Sequence, residues 1–211
     1  MDQSSLTQDI LKEMFNISVG KAADMLSEIT KKRIILDVPN IDILNPESQN
    51  IELVETFSKV PEGALMLSSI NFEKKLQGEA NLIFPANKMR TFINLCIDQM
   101  SKDEEVDIDF TDMDFDIIRE VGNIILNSIV GGIGNFLDIN LEYTIPEVKI
   151  FDKADFKDSL KDKEYLCMLM LYITFIIEDT EIEGAIIIDL TLNSLNELMK
   201  KIKKVEDDLN G

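Results

Sequence analysis

Apolar residues recur at helical spacing in two long stretches of the chain, and each stretch leaves one polar stripe. The stretches run from Leu6 to about Thr30 and from Phe115 to about Leu137, which predicts two long, largely buried helices. At about 100° per residue, side chains three or four positions apart point the same way. The polar stripe of the first helix holds Asp9, Glu13, Asn16 and Gly20, and that of the second holds Asp116, Glu120, Asn123 and Asn127.

Shorter apolar runs between turn residues predict the remaining elements. After each long helix we expect one strand, a pair of strands and a closing helix, so the order of elements is the same in both halves. The predicted bounds are 33–38, 64–71, 78–84 and 86–100 in the first half, and 141–151, 165–177, 183–190 and 192–205 in the second.

One spaced motif occurs twice in the chain. Asp9-x3-Glu13-x2-Asn16 is followed by 22 residues and then Pro39, and Asp116-x3-Glu120-x2-Asn123 is followed by 22 residues and then Pro146. All four positions are displaced by 107 residues, so residue type and spacing agree together. Chance is a poor explanation of that agreement, and the chain therefore reads as two copies of one unit.

The repeat and the order of elements predict the domain organisation and the fold class. We expect a single domain over residues 1–211, made of repeats at about 1–100 and 112–207 and joined by an acidic linker at 101–111. The predicted fold is α/β and layered, with two α-β-β-β-α repeats that share one continuous β-sheet, pseudo-twofold symmetry and two long motif helices.

The recurring asparagine is harder to explain by solvent exposure than the recurring glutamate. Any amphipathic helix shows water one polar stripe, and a single copy of the motif would carry little weight. An exposed helix position requires only a polar side chain, however, so Glu, Lys or Gln would serve equally at positions 16 and 123. Asn is a mediocre helix former, so exposure alone does not explain Asn16 and Asn123. Two copies of the same residue pair favour a functional role.

Charge and composition limit the classes of function. The chain has 21 basic and 40 acidic residues and a net charge of −19, which repels nucleic-acid backbones and suits a protein partner that presents a basic side chain. Histidine is absent, which excludes His-based triads and zinc–His sites. Cys96 and Cys167 lie in apolar runs and are expected to be reduced core residues.

No stretch of the sequence has the roughly 20 consecutive apolar residues of a membrane span, and residues 1–5 lack the pattern of a signal peptide. We therefore expect no membrane insertion and a cytoplasmic location. The acidic runs at 103–109 and 112–116 suit a solvated linker and the first turn of the second long helix, with a divalent-metal site as the less favoured alternative. The Gly131-Gly132-x-Gly134 cluster favours close helix packing or a kink over a phosphate-binding loop.

The motif Asp/Ser-x3-Glu-x2-Asn-x22-Pro resembles the signature of the CheC, FliY and CheX family of chemotaxis phosphatases. Two copies in a chain of this length resemble the two-site form, CheC, and Glu120-Val121-Gly122-Asn123-Ile124 is similar to the Glu-Ile-Gly-Asn-Ile segment of the family. The first copy departs from that segment, because Phe15 stands where the second copy has Gly122.

The resemblance implies a phosphatase that hydrolyses the aspartyl phosphate of a phosphorylated CheY-type response regulator. Asn16 and Asn123 would orient the attacking water, and Glu13 and Glu120 would dock a lysine of the receiver domain. Asp9 and Asp116 would support the helix start or the docking surface, and Pro39 and Pro146 would fix the start of the adjacent strand.

The resemblance also bears on partners and cofactors. No cofactor is expected in this chain itself, since the Mg²⁺ ion belongs to the receiver domain, and CheD is a candidate second partner. The chain is expected to be a monomer, because two fused halves already provide what a dimer of single halves would. The alternative reading is a module that binds a receiver domain or CheD without catalysis.

Overall fold

The computed structural model describes residues 3–44, 64–96, 110–152 and 167–210. Four helices and seven strands lie in these ranges. The helices are α1 (Gln3–Thr30), α2 (Ala86–Cys96), α3 (Asp112–Leu137) and α4 (Leu192–Asn210). The strands are β1 (Ile34–Leu44), β2 (Ala64–Glu73), β3 (Gly78–Pro85), β4 (Glu142–Tyr143), β5 (Glu147–Asp152), β6 (Cys167–Ile177) and β7 (Thr180–Leu190).

All seven strands belong to one antiparallel sheet, in the order β1-β6-β7-β3-β2-β4, with β5 also paired to β2. The hairpins β2–β3 and β6–β7 lie side by side at its centre through the β3–β7 pairing. Strand β1 pairs with β6, and β5 pairs with β2, so each outer strand joins the hairpin from the other half of the chain. The α/β class and the single continuous sheet are confirmed, and the pseudo-twofold symmetry stays a prediction.

The main core lies between one face of this sheet and all four helices. Phe15 and Val19 of α1 and Ile125 and Ile129 of α3 are completely buried in it. A smaller buried cluster lies on the other face of the sheet, because successive strand residues point to opposite faces: Ile186 and Ile188 belong to the first cluster and Ile187 to the second. Both long helices are therefore held by apolar packing over most of their length.

A capping box starts α3 three residues earlier than its apolar pattern predicts. The Thr111 side chain accepts a hydrogen bond from the Asp114 backbone N–H, and the Asp114 carboxylate accepts one from the Thr111 backbone N–H at 2.7 Å. Asp112 and Asp114 in this first turn also complement the helix dipole. The acidic run at 112–116 is thus part of the helix start, as expected, whereas the run at 103–109 lies outside the described residues.

The two long helices pack directly on each other where the glycine cluster lies. A Cβ atom added to Gly132 would collide with Ser18 Oγ, so α3 approaches the Ser18 side chain too closely for a larger residue to fit without a shift. Ser18 is buried and donates its hydroxyl to Met14 O at 2.9 Å, which satisfies it inside the contact. The helix is continuous from Asp112 to Leu137, so the expected close helix packing is confirmed at Gly132.

Strand β1 and its counterpart in the second half differ from the predicted strands. Strand β1 is longer than predicted and contains Pro39 at a register shift between Asp37 and Asn40, so the prediction that Pro39 starts a strand is wrong. The predicted strand 141–151 is interrupted between β4 and β5, and Pro146 does precede a strand, β5. Most of the predicted linker, 101–109, lies outside the described residues; Phe110 and Thr111 lead into α3.

The apolar sequence of helix α3 is explained by its burial in the core. Among the described residues it is the one helix long and apolar enough to cross a membrane by length and composition, contrary to the expectation that no segment is. Within its most apolar window, 56% of the residues are buried inside the fold. Packing against α1 and the sheet accounts for the apolar sequence without a membrane. Both cysteines are free, with Cys167 buried and Cys96 half-buried, as predicted.

Candidate functional site

The acidic residues of both motifs lie on the outer surface of their helices. Asp9 and Glu13 are exposed on α1, and Asp116 and Glu120 are exposed on α3. Asp116 forms an ion pair with Arg119, one turn further along α3. Within the described part of the chain, Glu13 and Glu120 have no ion-pair partner. Both glutamates are therefore available to a cation on another molecule.

The asparagine of the first motif is bonded to the edge strand of the sheet. Asn16 Oδ1 accepts a hydrogen bond from the Val38 backbone N–H at 2.8 Å, and Asn16 Nδ2 donates to Val38 O at 3.3 Å. The carboxamide thus pairs with Val38 as a neighbouring strand would, with one donor and one acceptor. One N–H and one lone pair of Asn16 remain, on a side chain that is half-buried.

Ser27 repeats this contact further along the same face of α1. Its hydroxyl accepts from the Ile34 backbone N–H at 3.0 Å and donates to Ile34 O at 3.3 Å. Ser27 lies eleven residues after Asn16, which is three helical turns and nearly the same angular position. The face of α1 that carries Asn16 therefore runs along the outer edge of β1 and satisfies the backbone groups of Ile34 and Val38 there.

Pro39 explains the spacing of the first motif. Two residues of β1, Val38 and Pro39, lie between Asp37 and Asn40, whereas only one residue of β6 lies between their partners, Thr174 and Tyr172, which defines a bulge. Proline has no N–H for the ladder and holds the preceding residue in an extended conformation. Val38 is thus turned toward the helix, where Asn16 binds it. The Asn-x22-Pro spacing has a structural role in this copy.

The asparagine of the second motif makes a different contact. Asn123 Oδ1 accepts a hydrogen bond from Asn127 Nδ2 at 2.7 Å. Its counterpart of Val38 would be Ile145, which lies between β4 and β5 outside any strand and is 80% exposed. No hydrogen bond joins Asn123 to residue 145, and Asn123 Nδ2 has no protein partner within the described residues. The carboxamide of the second motif is therefore more available than that of the first.

The residues that precede the two asparagines differ in size because they pack differently. Phe15 is completely buried in the main core, so it does not obstruct the exposed face of α1. A Cβ on Gly122 would collide with both Cβ and Oγ of Ser68 on β2. Gly122 therefore lets α3 approach the sheet closely, and Phe15 fills the corresponding space on the α1 side with a side chain.

The two motifs form separate sites. Helices α1 and α3 make their close contact at Ser18 and Gly132, and Asn16 lies about 3 Å along α1 from that contact at 1.5 Å per residue. Asn123 lies nine residues before Gly132, or about 13 Å along α3. The two carboxamides are therefore too far apart to act on one phosphoryl group.

The start of α3 carries the one buried ion pair near the second motif that the described residues contain. Asp114 Oδ2 accepts from Arg90 Nη1 of α2 at 2.9 Å, and the Arg90 guanidinium lies 4.4 Å from the centre of the Phe110 ring. Burial alone would raise the pKa of Asp114, but hydrogen bonds from the Thr111 backbone and side chain and from Arg90 lower it below its usual value. This cluster fixes the end of α3 that precedes Glu120.

Sequence reasoning placed the four motif residues on two helices and missed three of their neighbours. Val38 gave no chemical signal, although it directly precedes the proline of the motif. Ser27 shares the face of Asn16 at a distance of three turns, which the helical period could have indicated. Asn127 was placed on the polar stripe but was assigned no role. Within the described residues, no hydrogen bond or ion pair joins Asp9 to Glu13 or Asn16, and its role stays a prediction.

Comparisons with known proteins agree with these motifs. A model of the CheC-like family matches residues 6–43, the segment that holds Glu13, Asn16 and Pro39. CheY-P phosphatase CheC from Bacillus subtilis (strain 168) is 28% identical over 144 residues, which are 67% of this chain and 65% of that protein. The chain thus matches just under two thirds of the length of this relative.

Solved structures show the same fold. FliY from Thermotoga maritima superposes with a TM-score of 0.72 at 17% identity, over 97% of this chain and 99% of that one. The FliM middle domain from H. pylori gives a TM-score of 0.60 at 10% identity, over 95% of this chain and 99% of that one.

The chain is an α/β protein with two motif helices on one face of a single sheet, and it shares this fold with FliY and the FliM middle domain. The family model and the curated relative support a relationship of this chain to the CheC family, and the solved structures show that it shares their fold.

Proposed function

We propose that this protein hydrolyses the aspartyl phosphate of a phosphorylated CheY-type receiver domain, and that the second motif is its principal site. The observation that carries the proposal is the pairing on α3 of an exposed glutamate, Glu120, with an asparagine, Asn123, whose Nδ2 has no protein partner among the described residues. The matched relative bears the name CheY-P phosphatase CheC, which supports the choice of substrate.

In this reaction the main task of the phosphatase is to position the attacking water. The transition state of phosphoryl transfer is loose, and its charge is spread over oxygens that the Mg²⁺ ion of the receiver would neutralise. A carboxamide offers an acceptor and two donors, so Asn123 can hold a water in line with the phosphorus atom without acting as a base. Water is the nucleophile, the P–O bond to the aspartate breaks, and inorganic phosphate leaves.

Docking is the proposed role of the glutamate. Glu120 is exposed and forms no ion pair within the described structure, and the chain has a net charge of −19. A lysine of the receiver domain next to the phosphoaspartate would meet Glu120 and bring Asn123 over the phosphoryl group. Because Glu120 forms this contact before and during the reaction, it contributes mainly to binding.

The first motif fits a weaker version of the same function. Glu13 is exposed, like Glu120, but both polar atoms of the Asn16 carboxamide already bind Val38. These contacts favour a second candidate function for this motif, which is to dock a receiver domain without efficient turnover. Catalysis at Asn16 would use its remaining N–H and lone pair, or would require that the contact with Val38 open.

The decisive experiment is the rate of phosphate release from a phosphorylated CheY-type receiver with Mg²⁺ present. We expect the wild type to accelerate phosphate release and Asn123→Ala to remove most of this acceleration. The double variant Asn16→Ala/Asn123→Ala should remove nearly all of it. A double variant with wild-type turnover would refute the phosphatase assignment. Receiver binding by a wild type that does not accelerate release would instead establish the non-catalytic module.

The remaining expectations about partners belong to the same proposal. We propose a cytoplasmic monomer with the Mg²⁺ ion supplied by the receiver domain, and CheD as a candidate second partner. Size-exclusion chromatography with light scattering, alone and with CheD, tests the oligomeric state and the second interaction in one experiment.

A further inference from the structure

The second motif contains a polar residue that the first motif lacks. Asn127 follows Asn123 by one helical turn, and its Nδ2 donates to Asn123 Oδ1 at 2.7 Å. The matching position in the first motif is Gly20, where a Cβ would meet no atom within 4 Å. Space therefore does not explain the glycine, and the residue next to the asparagine distinguishes the two motifs.

We propose that Asn127 is a positioning residue that sets the orientation of the Asn123 carboxamide. The proposal rests on the proposed function of Asn123. A carboxamide can turn over and exchange the places of its oxygen and nitrogen, so an asparagine alone presents two different faces to a water molecule. The N–H of Asn127 selects the orientation in which Oδ1 points along the helix, with both N–H groups of Nδ2 and one lone pair of Oδ1 left for the substrate and water.

The contacts of Asn127 itself favour this role over a structural one. Its Oδ1 is buried and has no hydrogen-bond partner among the described residues, which is an unfavourable state for a polar atom. Asparagine is also a poorer helix former than alanine, and position 127 lies inside α3. Stability alone would thus favour Ala at this position, so the observed residue is better explained by its contact with Asn123.

The first motif achieves a fixed orientation in another way. There, Val38 binds both atoms of the Asn16 carboxamide and leaves no need for a neighbour at position 20. The same asparagine is thus fixed by backbone in one motif and by a side chain in the other. Among the described residues, only the second arrangement leaves the whole NH₂ group without a hydrogen-bond partner, which is why we place the positioning residue there.

Steady-state dephosphorylation of a phosphorylated CheY-type receiver by Asn127→Ala tests the proposal. We expect kcat to fall about tenfold with KM unchanged, because orientation matters in the transition state and docking through Glu120 is intact. The midpoint of thermal unfolding is expected to stay the same or rise, since the helix gains Ala and loses an unpaired acceptor. Asn135→Ala is the matched control: it makes the same substitution at an exposed position of α3, and we expect wild-type kinetics.

A double-substitution cycle shows whether Asn127 acts through Asn123. In a chain that already carries Asn123→Ala, the further change Asn127→Ala is expected to have no effect on kcat. The side-chain amide signals of Asn123 in a two-dimensional NMR spectrum should shift in Asn127→Ala and stay in place in Asn135→Ala.

The outcomes separate the failure of this inference from the failure of the proposed function. If Asn123→Ala leaves hydrolysis unchanged, the proposed function falls and this inference falls with it. If Asn123→Ala removes hydrolysis while Asn127→Ala keeps wild-type kcat and unshifted Asn123 amide signals, only the positioning role is overturned. A lower unfolding midpoint in Asn127→Ala together with kcat values that multiply in the double variant would also overturn it, in favour of a structural role.

Discussion

The carboxamide of Asn16 binds both backbone polar groups of Val38, with Oδ1 at 2.8 Å from the amide nitrogen and Nδ2 at 3.3 Å from the carbonyl oxygen. A side chain on a helix thereby takes the place of the missing neighbour of an edge strand. Edge strands with unpaired backbone groups invite pairing with other chains, and Asn16 and Ser27 of α1 occupy such groups at Val38 and Ile34. The first motif therefore contributes to the fold whether or not it contributes to catalysis.

Asn16→Ala is expected to destabilise the protein by about 1–3 kcal/mol, because it leaves two backbone groups of Val38 without partners at a partly buried position. Denaturant unfolding followed by circular dichroism measures this. Asn123→Ala is the matched control, since it removes only one hydrogen bond between two side chains, and its effect should be smaller. Equal free energies of unfolding for the two variants would contradict the edge-strand role of Asn16.

Gly122→Ala is expected to lower the free energy of unfolding by roughly 1–3 kcal/mol, because the new Cβ collides with Ser68 on β2. Gly20→Ala is the control on the other long helix: no atom lies near its Cβ position, so the helix should gain about 0.5–1 kcal/mol. Thermal or denaturant unfolding measures both variants, and the changes in their free energies of unfolding should have opposite signs. Combining Gly122→Ala with Ser68→Gly should restore part of the loss.

Stability is expected to depend on the ionisation of Asp114. Its pKa is lowered in the folded state, so the carboxylate contributes stability above its unfolded pKa of about 3.9, and this contribution is lost as the pH falls toward the folded pKa. Asp114→Asn should cost about 1 kcal/mol or more at neutral pH through the capping box and the contact with Arg90. Unfolding free energies of both proteins, measured from pH 7 to pH 3, should converge toward the acid end.

Glu120→Gln is expected to raise KM for the phosphorylated receiver about tenfold with little change in kcat, because a docking charge is lost and the water-positioning group is kept. Added salt should weaken receiver binding by the wild type more than binding by this variant, because salt screens the charge of Glu120. Glu13→Gln provides the comparison on the other helix, and a smaller effect there would agree with a principal site on α3. A fall in kcat at constant KM for Glu120→Gln would contradict the docking role.

The parts of the fold that follow from local pattern were predictable. Both long helices, the two central hairpins and the closing helix α4 follow from apolar periodicity and turn residues, and the observed elements include most of each predicted range. The start of α3 was missed by three residues because the capping box depends on Thr111 and Asp114, which precede the apolar pattern. Local sequence chemistry contained that signal.

The parts that depend on distant contacts were not predictable from pattern. Pro39 was expected to start a strand, since proline normally leaves the hydrogen-bond ladder, but a bulge opposite Ile173 accommodates it inside β1. The interruption between β4 and β5 has no counterpart in the first half, although the motif spacing is the same. Asn16 can bind the Val38 backbone because β1 is continuous there with a bulge. Asn123 has no such strand beside it, because the chain is interrupted between β4 and β5.

Strand β1 completes the hairpin that comes from the other end of the chain, and β5 does the same for the first hairpin. Neither half could be removed without taking an outer strand from the half that remains. Deleting either half would therefore expose the backbone edge of a central hairpin, whereas a single substitution in one motif leaves both outer strands in the sheet.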